Sequence, residues 1–183
     1  MNYLALDLSK KSSGWAFHEE GSARPQHGVW TTIASEYTGR GQLYYQLFRE
    51  LARLRRVMRF GKIFAEEPVN LIPNSVATTI ENIWISVGMG AALELFCYQE
   101  GIKLEWVHQA RWRREFLGRM PRGTKSVDLK AMAIERCRQL GFSPQRHDDA
   151  EALGVLTYGM LREHVPVPWM RDEVLRAALD KAR

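Results

Sequence analysis

Long apolar runs are missing from this chain, cysteine is nearly so, and acid is outnumbered by base. No uninterrupted apolar stretch approaches the roughly 18 residues that a membrane span requires, and no charged-then-apolar leader heads the sequence. The expectation is a soluble, cytoplasmic protein with no membrane partner. The two cysteines, Cys97 and Cys137, each fall inside an apolar helical pattern and have no metal-ligand spacing. That excludes a disulfide scaffold and suits a reducing compartment. Internal repeats and low-complexity segments are lacking too. With 45% hydrophobic and 26% charged residues, disordered and fibrous classes drop out.

What is present is enough chain for one well-cored domain, 183 residues, with a modest basic excess. The net charge is +5, but its distribution matters more. Bases crowd Arg49–Arg59 and Arg111–Lys125, while acids stand singly or in pairs. One reading is a basic face for a polyanion; the other is a solvated helix surface.

Periodicity gives the order of elements. Tyr3–Leu6 is a short apolar run ending on Asp7, followed by return strands over Gly14–His18 and Gly28–Thr32. Leu43, Leu47, Leu51, Leu54 and Met58 recur every three or four residues, predicting an amphipathic helix over Gln42–Arg59. Lys62–Ala65 reads as a buried strand running into Glu66-Glu67-Pro68, where proline forces the chain out of the sheet. A helix from Pro73 to about Gln99 carries a middle of small residues, Ser86–Ala92. Close packing on its own sheet and a seam with a second copy explain that middle equally well. Ile102–Val107 alternates as a strand. Helices follow over Gln109–Leu117, from a Thr124 cap to Leu140, and over His147–Glu163; Met170–Ala182 reads as an amphipathic tail helix. Strands, helix, strand, helix, strand and then helices define an α/β protein with a mixed sheet. The expected division is a domain over 1–165 and a tail over 166–183.

Four acids carry the chemistry. Asp7 and Glu66 each end a core strand, where an ionised carboxylate is costly unless a cation or donors meet it. Strand neighbours point to opposite faces, so only one of Glu66 and Glu67 should reach a shared cation. Asp148 and Glu151, three apart at a helix start, project from one side. Asp149, about 100° around the helix, reads as a cap or a solvated residue, and His147 as a first-turn residue with a possible supporting role. Acids in a first helical turn suit the helix dipole alone; four from three elements suggest convergence. Converging carboxylates need cations between them, and Mg²⁺ takes oxygen ligands.

This arrangement resembles the RuvC family of Holliday-junction resolvases, within the ribonuclease-H-like nucleases. The matching segments are Leu4–Phe17 with Asp7, Ile63–Pro68 with Glu66, and His147–Gly154 with Asp148 and Glu151, so the likeness covers roughly Met1 to Glu163. The resemblance implies a ribonuclease-H-like mixed five-stranded sheet flanked by helices. It implies an endonuclease cutting branched DNA at four-way junctions with two Mg²⁺ per site, Mn²⁺ substituting. Asp7, Glu66, Asp148 and Glu151 are then metal ligands, joined in catalysis by Lys125. Arg111, Trp112, Arg113, Arg114, Arg119, Arg122 and Lys125 become DNA contacts, with Trp112 either stacking on an unpaired base or packing in the core. The Ser75–Gln99 helix becomes the seam of a homodimer, and the setting a bacterial cytoplasm. Departures are Glu151 in place of the usual Asp, Val69 in place of an aromatic wedge, Leu8-Ser9 in place of Pro-Gly, and the tail beyond Val165. They suit a phage-encoded or prophage member. Two rivals remain, a flap- or ribonuclease-H-type nuclease and a junction-binding protein without chemistry. Actin-like and sugar-kinase ATPases are excluded, because the chain has neither glycine-rich phosphate loops nor a second domain.

Overall fold

The computed structural model describes residues 1–32, 39–68 and 79–170. Along them run β1 (Tyr3–Asp7), β2 (Ser12–His18), β3 (Gln26–Thr31), α1 (Gly39–Val57), β4 (Lys62–Glu66), α2 (Ile80–Glu100), β5 (Lys103–Val107), α3 (Gln109–Leu117), α4 (Ser126–Gln139) and α5 (His147–Arg162). The strands form one mixed sheet of order β3-β2-β1-β4-β5. β1, β2 and β3 pair as an antiparallel meander, whereas β1–β4 and β4–β5 are parallel.

Strand alternation splits the core into two layers. Leu4, Leu6, Ile63 and Ala65 face α1 and α2, meeting Leu47, Leu51, Met89 and Leu93. Tyr3, Ala5 and Phe64 face the other way, onto Leu153, Leu156 and Met160 of α5. Asp7 and Glu66 continue the parity of Ala5 and Phe64, so both acids project on the α5 side. α5 is the most enclosed helix, with twelve of its sixteen residues buried. Its layer continues to Trp169, whose indole N–H donates to Thr157 Oγ1 at 3.0 Å. The tail helix expected over Met170–Ala182 lies outside the described residues apart from Met170, which closes a 3₁₀ turn, Pro168–Met170.

Several expectations need correction. α2 runs from Ile80, capped by Thr79, whose hydroxyl accepts from the Asn82 amide at 3.2 Å; the Pro73-Asn74-Ser75 start lies outside the described residues. α2 also has the length and apolar character of a membrane span, and about a third of its apolar stretch is buried. Single polar residues interrupt its apolar runs without removing that character. It lies on the sheet and α1 as a core helix. The small residues of α2 serve packing within the chain. A Cβ at Gly88 would stand 2.1 Å from the Tyr44 hydroxyl, and one at Gly90 2.9 Å from Pro68. Lys125, not Thr124, is the N-cap of α4, because the Thr124 hydroxyl donates instead to the Pro121 carbonyl at 2.7 Å. Both cysteines are buried, as expected, and burial pushes each thiol up to about 12.

Candidate active site

The acids come together through three local features. β1 and β4 are parallel neighbours with Tyr3 opposite Lys62 and Leu6 opposite Ala65. One step further, Asp7 and Glu66 stand side by side at the strand ends, on chains ~4.8 Å apart. Asp7 also pairs with Gly14 of β2. A Cβ at Gly14 would lie only 1.9 Å from the Asp148 carbonyl oxygen, so glycine lets the start of α5 settle on the strand beside Asp7. The helix then turns Asp148 and Glu151 inward, 3% and 4% exposed.

All four carboxylates line one open cavity of about 460 Å³, whose other walls include Gln109, Arg113, Ser126 and Lys130. Glu66 accepts from Trp112 Nε1 at 2.7 Å and Gln109 Nε2 at 2.6 Å. Asp148 accepts from the Ser12 hydroxyl at 2.7 Å, and Glu151 from Arg113 Nη2 at 2.6 Å. No described residue donates a hydrogen bond to Asp7. Burial, then the charges of Glu151, Glu66 and Asp148, push the Asp7 pKa well above the usual range, with Arg113 opposing. Burial raises that of Glu66 too, against the Trp112 hydrogen bond and Arg113. On the rim, His147 Nε2 accepts from Lys130 Nζ at 2.8 Å and lies 3.2 Å from Asp148 Oδ1.

The donor set fits a hard divalent cation. It is all carboxylate oxygen, it lines one cavity, and its central member lacks a protein partner among the described residues. Among the described residues no three acidic, His or Cys side chains already stand at a common metal-ligand spacing. Three of the four acids are instead turned to protein donors.

Asp149 is the cap anticipated for it, and it is fully buried rather than solvated. It accepts from the Gln145 and Arg146 amides at 3.0 and 2.9 Å and lies 3.0 Å from His27 Nδ1. Burial pushes its pKa up, but the His27 hydrogen bond and the two amides outweigh that and hold it below the usual carboxylate range. A depressed carboxylate stabilises above its unfolded pKa and loses that contribution as pH falls through the folded value. Asp149→Ala is therefore expected to cost about 1–3 kcal/mol near neutral pH. Urea titrations should show the gap between variant and wild type closing only below about pH 4.

The structure places two of the expected DNA contacts in the interior. Trp112 is 0% exposed and donates to Glu66, so it cannot stack on a base. Arg113 is buried against Glu151, not displayed on the surface. Lys125 is exposed, and the lysine on the cavity wall is Lys130. Arg111, Arg114, Arg119 and Arg122 are exposed. Glu67 stays out of the acid cavity and, with Glu66, lines a smaller neighbouring recess of about 50 Å³ against α2. Val69 lies outside the described residues. Sequence reasoning missed Ser12, Gln109 and Lys130. Gln109, Trp112 and Arg113 fall at i, i+3 and i+4 on α3, a spacing that marks a shared face.

The sheet order, with an acid-bearing helix laid across β2 and β1, defines a ribonuclease-H-like fold. RuvC of Thermus thermophilus shares it, with TM-score 0.61 and 14% identity over 90% of this chain and 98% of that one. T. thermophilus RuvC in complex with a Holliday junction substrate gives TM-score 0.60 and 11% identity, covering 85% of this chain and 90% of the other. At such identities the likeness establishes the RuvC fold alone. No protein-family model matches the sequence, and no curated protein matches it significantly.

Proposed function

We propose that this protein is a metal-dependent, structure-selective endonuclease that hydrolyses DNA phosphodiesters at four-way junctions. The observation that carries the reading is the meeting of Asp7, Glu66, Asp148 and Glu151, from three elements, in one solvent-open cavity. The likeness in fold to RuvC bound to a Holliday junction supports the choice of substrate. When bound, a pair of Mg²⁺ ions, or Mn²⁺ in their place, lowers the pKa of an attacking water and stabilises charge on the leaving oxygen. The chain's part is to preset the ligands. Trp112 and Gln109 fix Glu66 and Ser12 fixes Asp148, while Arg113 holds Glu151. Exposed Arg111, Arg114, Arg119, Arg122 and Lys125 supply backbone phosphate contacts, making binding fall steeply with salt.

The enzyme acts as a homodimer, one site for each of two like strands of the junction. Supporting this, α2 presents Ile80, Trp84, Val87, Leu95 and Tyr98 to solvent at helical spacing, between 46% and 87% exposed. So long an apolar stripe is unusual on a monomer. Trp84→Glu is expected to convert dimer to monomer in sedimentation and to abolish paired nicking. The functional test compares cleavage of a four-way junction, a flap and an RNA–DNA hybrid, with and without Mg²⁺. Symmetric paired nicks in the junction, dependent on Mg²⁺, are expected; faster cutting of the flap or hybrid sinks the assignment.

A further inference from the structure

A buried guanidinium is costly unless its donors are met, and Arg113 meets few of its own. It is 9% exposed. Nη2 bonds Glu151 Oε1 at 2.6 Å, while Nε is buried without a partner among the described residues. The group lies over the Trp112 ring, 5.2 Å from its centroid. It shares the cavity wall with Asp7, Glu66 and Asp148. Four clustered carboxylates require positive charge near them, and here a side chain of the protein supplies it.

We propose that Arg113 is an internal counter-ion that competes with a divalent cation for Glu151, so the ion held by Glu151 enters only as the Arg113–Glu151 pair opens. This rests on the metal-site reading above. Guanidinium and metal claim the same carboxylate and repel one another, so each weakens the other by linkage. Two ions therefore bind unequally, the one nearer Glu151 more weakly. Arg113 acts by positioning Glu151, and it makes the metal-free site stable at the expense of metal affinity.

The test is Mn²⁺ binding to the DNA-free protein, followed by electron paramagnetic resonance of free Mn²⁺. Arg113→Met is expected to tighten the weaker site by about tenfold or more. Arg114→Met removes the same charge from an exposed position of α3 and should change affinity less than about twofold. In a Glu151→Gln background, Arg113→Met should lose its effect, since the contested carboxylate is gone. Arg113→Lys, a milder change, should tighten binding by about threefold and guards against misfolding, which circular dichroism checks. Folded Arg113 variants that bind Mn²⁺ no tighter than wild type overturn the proposal and leave Arg113 a simple prop. Absence of Mn²⁺ binding in every variant and in wild type overturns the metal site itself.

Discussion

Asp7→Asn is expected to cut junctions about 10³-fold more slowly or worse while binding them within about threefold of wild type. The substitution preserves shape and removes one charge from the middle of the cavity. Of the four acids, Asp7 alone has no hydrogen-bond donor to its carboxylate among the described residues, so a bound cation is its direct partner. Glu66, Asp148 and Glu151 keep their protein donors and the pocket keeps its form. A second consequence separates this account from simple damage. Burial and three neighbouring carboxylates raise the Asp7 pKa in the folded state. An acid whose folded pKa lies above its unfolded value weakens the fold once pH exceeds the unfolded value, and neutralising it removes that penalty. Metal-free Asp7→Asn should therefore melt at a higher temperature than metal-free wild type at neutral pH. Saturating Mg²⁺ should shrink the difference, because the ion stabilises only the intact site. Cutting at the wild-type rate, or loss of binding together with cutting, defeats the assignment.

The acids were legible because each interrupts a pattern. Asp7 and Glu66 stand where period-two alternation calls for another core residue, and Asp148 and Glu151 fall three apart before a run of apolar positions. Those are local signals, and local signals also set α3 at Gln109–Leu117, bounds that the structure reproduces. The donors around the acids left no such trace. Ser12 reaches Asp148 across 136 residues, Trp112 reaches Glu66 across 46, and Arg113 reaches Glu151 across 38. Only the fold brings these pairs together. Trp112 shows how adjacency in sequence misleads. Flanked by Arg111 and Arg113 it reads as part of a basic surface, yet helix geometry separates it from Arg111 and Arg114. Arg111 and Arg114 look outward, while Trp112, Arg113 and Phe116 turn to the core. The role of the small residues of α2 was obscured for a different reason, since Gly88 answers to Tyr44 and Gly90 to Pro68 and Trp106, none of them in the helix itself.

Gly14→Ala is expected to lower stability by about 2–4 kcal/mol and cleavage by about 10²-fold, although Gly14 carries no chemistry. The added Cβ would meet the Asp148 carbonyl oxygen at 1.9 Å, its carbon at 2.2 Å and the Asp149 nitrogen at 2.7 Å. All three are backbone atoms of α5, and no rotamer change relieves them. Either β2 bends away from β1 or α5 lifts by about an ångström, and close-packed interiors resist both. Lifting α5 draws Asp148 from Ser12 and Asp149 from His27, so the cap loosens while the acids lose register with Asp7 and Glu66. Gly41→Ala provides the control. Gly41 lies in α1 with no described residue within 4 Å of an added Cβ, and alanine there should stabilise by about 0.5–1 kcal/mol through helix propensity without touching activity. Thermal melts and single-turnover cleavage of both variants check the argument. A Gly14→Ala protein that melts and cuts like wild type shows that α5 does not rest on β2 in the way that brings the four acids together.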